Sequence, residues 1–132
     1  MSEWLFVYGT LRRTIQSPMA AVLGRDAIYA GRAFMRGRLY EVGPYPAASE
    51  SAAADDKVFG ELWRIRHPTP LFKQLDDYEE CSAQYPQPHE YVRKVLPVTR
   101  DSGEILLAWC YVYNLDTGGL QRITSGDYLD VI

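Results

Sequence analysis

Residues 105–112, ILLAWCYV, are apolar on both sides of an extended chain. With a period of two, Ile105, Leu107, Trp109 and Tyr111 fall on one face and Leu106, Ala108, Cys110 and Val112 on the other. A strand of that kind has to be covered from two directions, which places it in the middle of a barrel or sandwich. A second stretch of similar character opens the chain. Residues 4–8, WLFVY, read as a buried strand, and Gly9-Thr10 stop it abruptly. Glycine admits positive φ and the close approach of a ligand to the main chain, and successive N–H groups around such a turn point into one concavity that holds an anion. The turn Tyr8-Gly9-Thr10-Leu11 is therefore a candidate binding loop, although strand-then-glycine also occurs in domains with no ligand there.

The rest of the chain supplies partners for these strands. Ser17-Pro18 before MAAVL and Gly24 reads as a short helix with a serine cap, a proline at its first position and a glycine stop. Residues 28–34 and 38–42 read as two strands reversing around Arg36-Gly37, ended by Gly43-Pro44-Tyr45-Pro46. Residues 47–57, with several Ala and acidic residues but no apolar period, read as a surface loop. Residues 58–66, VFGELWRIR, form a strand in which Gly60 marks a bend or close contact. Thr69-Pro70 then caps a helix reaching Glu80, residues 81–89 are a loop, and residues 91–98 and 104–114 are strands joined by a turn at 100–103. The tail from Gly118 is turn-rich. The reading is one α+β domain over residues 1–132, with about six mostly antiparallel strands in a closed or nearly closed sheet and two or more short helices.

Composition narrows the function. A net charge of −3, from 14 basic and 17 acidic residues, provides no footprint for nucleic acid or anionic lipid. No apolar run approaches the roughly 18 residues of a membrane span, and the N-terminus lacks a basic region followed by an apolar one, so the expected location is the cytoplasm. Cys81 and Cys110 form neither a disulfide framework nor a CxxC, and with His67 and His89 they match no zinc spacing, so no metal site is expected. The expected partner is a small molecule.

One carboxylate stands out. On the helix LFKQLDDYEE, the residues Leu71, Phe72, Leu75 and Tyr78 form an apolar stripe, and Glu79 falls on its rim, four residues from Leu75 and seven from Phe72. Asp76, Asp77, Lys73 and Glu80 take the wetter side. A carboxylate held partly out of water has a raised pKa and becomes a base able to accept a proton from an amine near neutral pH. Geometry alone equally allows Glu79 to flank the core with its head turned to solvent.

In order along the chain, VYGTLR (7–12), GELWRI (60–65), LDDYE (75–79), EYVRKVLPV (90–98), AWCYVY (108–113) and SGDY (125–128) resemble the gamma-glutamylcyclotransferase-like family. The resemblance implies a small mixed β-barrel with a cavity at one mouth. It implies release of 5-oxoproline from a γ-glutamyl amine or γ-glutamyl amino acid, by attack of the glutamyl α-amine on its own γ-carbonyl. Carried over by position, Tyr8, Gly9, Thr10 and Leu11 grip the glutamyl part and Glu79 is the general base, with no cofactor expected. Tyr91, Tyr111, Tyr113 and Tyr128 are candidate pocket residues, although a tyrosine in a strand also serves as core or surface. The sequence departs from the family at residues 13–18, at Glu80 where a glycine is frequent, and in a long loop from Cys81 to Glu90. The same cavity would also suit a non-catalytic module for a small carboxylated ligand.

Overall fold

The computed structural model describes residues 2–9, 18–82 and 84–130. Among these residues seven strands and two helices follow in the order β1 (Trp4–Val7), α1 (Pro18–Asp26), β2 (Ala27–Val42), β3 (Tyr45–Glu50), β4 (Lys57–Ile65), α2 (Pro68–Tyr78), β5 (Tyr91–Arg100), β6 (Ile105–Tyr113) and β7 (Gln121–Ile123), with a 3-10 turn at Tyr128–Asp130. Strands pair in the order β2-β4-β1-β6-β5, and β5 returns to β2, closing a five-stranded barrel. The β1–β6 pair is parallel and the other pairs are antiparallel, so the barrel is mixed. β3 and β7 lie outside the closed path, both pairing with the second half of β2.

The apolar character of β1 on both faces follows from two cores. Phe6 points inward with Met35, Leu39, Leu62 and Val98, while Leu5 and Val7 point outward to Leu23, Leu71 and Leu75 of the helices. Burial of Leu71 and Leu75 contributes roughly 2 kcal/mol each, which an eleven-residue helix of marginal intrinsic stability needs. β6 is sheltered on both sides only along its second half. Ile105 and Leu107 on its outer face are 66% and 60% exposed, because α2 reaches only as far as Trp109 and Tyr111.

Other expectations are corrected by packing. Residues 27–42 form one strand and not a hairpin. Gly37 is no turn: a Cβ there would collide with the Ser49 carbonyl oxygen, and at this point β2 passes from β4 to its β3 partner. Residues 45–50 of the expected turn and loop are β3, with Ala47 and Ala48 fully buried, since small side chains let an extra strand approach the barrel closely. Gly24 does not stop α1, which continues to Asp26; Ser17 lies outside the described residues. The N-cap of α2 is His67 and not Thr69, with no side-chain cap bond. None is required there: Pro68 and Pro70 have no N–H, and the His67 N–H reaches the Asp26 carbonyl at 3.2 Å, leaving Thr69 as the one open donor of the first turn.

Candidate active site

A cavity of about 160 Å³ opens where the end of β1 meets the last turn of α2. Tyr8 and Gly9 form one wall, Tyr78, Glu79 and Glu80 another, and Tyr45 and Pro46 at the start of β3 a third. Glu90, Tyr91 and Tyr111 complete it from β6 and the entrance to β5. The half-exposed rings of Tyr45 and Tyr78 stand at the mouth.

Closure of the first wall depends on Gly9. A Cβ at this position would lie 2.6 Å from Pro46 Cγ, so only glycine lets the β1 turn and β3 come together. Tyr8 is buried, and its hydroxyl donates to the Tyr111 carbonyl at 2.6 Å while accepting the Ala48 N–H at 3.3 Å. This links the barrel strands to β3 behind the cavity. Tyr91 makes a similar tie, its hydroxyl donating to the Pro46 carbonyl at 2.8 Å.

Glu79 is the C-cap of α2. The residue is half-buried and lines the cavity, and its charge acts on Tyr8, Tyr91 and Cys110 around it. Burial pushes this carboxyl up to about 7, and the neighbouring Glu90 carboxylate adds to the effect. The surrounding hydroxyls do not share its proton chemistry. Burial first, with Glu79 contributing, raises Tyr8 and Tyr91 further above the ordinary phenol range. The thiol of Cys81 is pushed up to about 12 by burial, then by Asp76 and Glu79, so it stays protonated and is a poor nucleophile.

The helix ends in a Schellman motif: the Glu80 N–H bonds the Asp77 carbonyl at 3.1 Å and the Cys81 N–H bonds that of Asp76 at 2.9 Å. Glu80 holds the left-handed position at φ 56° that glycine usually fills, which is the physical content of the departure seen in the sequence. Glu80→Gly is expected to raise stability by about 0.5–1 kcal/mol, the relief of strain exceeding the added freedom of the unfolded chain. Urea unfolding of the two proteins measures it, and a lower midpoint in the variant would contradict the assignment.

Of the residues singled out from sequence, Glu79, Tyr8 and Gly9 share the cavity, as do Tyr91 and Tyr111. Thr10 and Leu11 lie outside the described residues. Tyr113 and Tyr128 are not in the lining. Tyr113 packs edge-on against Tyr91 at 5.5 Å, and the buried Tyr128 donates its hydroxyl to the Pro44 carbonyl at 2.8 Å. Sequence reasoning missed Tyr45 and Pro46, because the strand they open went unrecognised, and Glu90, which carries no local signal beyond preceding Tyr91.

Asp76, expected to be solvated, is instead half-buried and bound from two strands. It accepts from Arg93 Nε at 3.0 Å and Nη2 at 3.3 Å, and from the Tyr111 hydroxyl at 2.6 Å. The Arg93 guanidinium carbon sits 4.0 Å from the ring centre of Phe72 and 4.5 Å from that of Trp109.

The profile of the family described as "Gamma-glutamyl cyclotransferase, AIG2-like" matches residues 5–130. The gamma-glutamylcyclotransferase family protein YtfP of Escherichia coli K12 is 32% identical over 130 residues, covering 96% of each protein. The solution structure of ytfP from E. coli matches with a TM-score of 0.65 at 29% identity over 96% of both chains. The crystal structure of an AIG2-like protein from Mus musculus matches at 0.72, with 22% identity over 96% of this chain and 87% of that one, a likeness of fold. The barrel with its two added strands and two helices is thus the fold of these relatives, and the chain belongs to the gamma-glutamyl cyclotransferase, AIG2-like family.

Proposed function

We propose that this protein releases 5-oxoproline from a γ-glutamyl amine or γ-glutamyl amino acid, with Glu79 as general base. The observation that carries the reading is that Glu79 lines the same small cavity as Tyr8 and Gly9, where burial pushes its carboxyl up to about 7. The α-ammonium of a γ-glutamyl group, with its free α-carboxylate beside it, holds its proton more tightly than a peptide N-terminus at about 7.7–8.0, and a carboxyl raised well above the ordinary range narrows the gap for proton transfer. The freed amine attacks the γ-carbonyl carbon, forming the ring C–N bond. As the tetrahedral intermediate collapses, the departing nitrogen takes the proton carried by Glu79 and its bond to carbon breaks, and the ring nitrogen gives its second proton to the regenerated carboxylate, leaving a neutral lactam and a free amine. Ring closure is intramolecular, so the principal task of the pocket is to hold amine and carbonyl in contact and exclude water. Tyr8 and Gly9 at the end of β1 hold the glutamyl portion, and the departing group extends toward Tyr45 and Tyr78.

The test is chromatographic detection of 5-oxoproline from γ-glutamyl amines and γ-glutamyl amino acids, between about pH 5 and about pH 9. Because the carboxylate is the active form, kcat/KM is expected to rise about tenfold per pH unit up to about 7 and then level off. Absence of product from both substrate classes would refute the reading, and a profile with no acid limb near 7 would refute the role of Glu79.

A further inference from the structure

We propose that Asp76, gripped by Arg93 and Tyr111, is the positioning residue that fixes the rotation of the last turn of α2 and thereby keeps the Glu79 carboxyl turned into the cavity. The catalytic consequence rests on the cyclotransferase reading; the geometry does not. Leu71 and Leu75 set how deeply the helix sits, but apolar contact is non-directional and leaves rotation about the helix axis loosely determined. A two-point Arg–carboxylate fork is directional. Here the fork runs from β5, and the Tyr111 hydroxyl adds a third bond to the same carboxylate from β6. Asp76 lies three residues before Glu79, on the adjoining turn of the same side of the helix.

The partners of Asp76 are themselves held. The Arg93 guanidinium is stacked against Phe72 of α2 and Trp109 of β6, and the Tyr111 backbone carbonyl accepts the Tyr8 hydroxyl at 2.6 Å. Tyr111 thus connects both cavity walls: its carbonyl is tied to the β1 turn, and its hydroxyl to the helix that carries Glu79. An exposed ion pair contributes little to stability, whereas a stacked, forked and partly buried one restricts geometry.

The decisive readout is the titration of Glu79 itself, followed by carboxyl-carbon NMR in the whole protein. The groups facing it are Tyr8 from β1, Glu90 and Tyr91 at β5, Cys110 and Tyr111 from β6, and its neighbours Tyr78, Glu80 and Cys81. Arg93→Lys keeps every charge but cannot form the fork. In this variant the Glu79 midpoint is expected to fall by about one unit or more from about 7 as the carboxyl turns toward water, with kcat down about 100-fold and KM changed by less than about threefold. Asp76→Asn is expected to behave in the same way. A folded Arg93→Lys protein with the parental midpoint would overturn the proposal, including the case in which Asp76→Asn alone lowers it, since that reports only the lost negative charge. If Arg93→Lys does not fold, Tyr111→Phe removes one of the three bonds that reach Asp76 from the strands. A smaller shift in the same direction then supports the proposal, and an unchanged midpoint overturns it. Titration is read without turnover. A parent that releases no 5-oxoproline while the variant midpoint falls would refute the cyclotransferase reading and leave the positioning role intact.

Discussion

Replacing Glu79 with glutamine is expected to lower 5-oxoproline release by roughly a hundred- to ten-thousandfold while making the folded protein more stable above neutral pH. Both effects have one cause. The folded-state pKa is raised to about 7, so the folded protein keeps a proton that the unfolded chain releases near the ordinary carboxylate value. The folded state therefore binds more protons between about pH 4.5 and about pH 7, and stability falls as pH rises through this window and is level beyond it. The shift corresponds to about 3 kcal/mol at most, reduced to about 2 kcal/mol because the residue keeps some contact with water. Glutamine fills the same space with no charge to desolvate. Below about pH 4.5 the two proteins are expected to melt together, and by about pH 8 the variant is expected to melt about 6 °C higher. Thermal scans across that range, paired with the product assay, check both halves. Coincident melting at every pH would mean that the carboxyl is not desolvated, and undiminished turnover would remove Glu79 from the mechanism.

Gly60→Ala is expected to cost about 3 kcal/mol or more, the largest destabilisation among glycine replacements in the barrel wall. Gly60 sits on β4 where β1 crosses closest, with Val7 opposite Glu61 and Phe6 opposite Leu62. A Cβ would collide with the Val7 carbonyl oxygen and come within 2.8 Å of Phe6 Cζ. The first obstacle is backbone and cannot rotate away, so β1 must move. β1 leads directly into Tyr8 and Gly9, and activity is expected to fall together with stability. Gly24→Ala provides the contrast: among the described residues nothing beyond its own helix backbone and chain neighbours lies within 4 Å of its Cβ, and in a helix alanine is favoured by about 1 kcal/mol, so this variant is expected to be neutral or more stable. Urea denaturation orders the two, and equal midpoints would refute the close-approach account of Gly60.

What was readable in the sequence, and what was not, follows from the range of the interactions. β1, β4, β5 and β6 declare themselves through period-two apolar patterns that reflect cores on one or both sides. Glu79 was legible because its relation to Leu75 and Phe72 is fixed within a single helix. β3 was not, since burial of Ala47 and Ala48 depends on a barrel that must already be closed, and alanine alone carries no strand signal. Gly37 resembled a turn because glycine serves turns and close strand contacts equally well. The Asp76–Arg93 pair joins residues seventeen apart in sequence through a helix-on-barrel contact, and no periodicity within either element marks it.

The hairpin bearing Tyr45 and Pro46 contributes to the pocket without belonging to the ring of five strands that closes on itself. Its loop, Gly43-Pro44, can lengthen or change composition without breaking any rung of that ring. Selection on what this side of the pocket admits can therefore act on the appendage while the helix carrying Glu79 and the strand behind it stay as they are, which separates the evolution of preference from the maintenance of the scaffold.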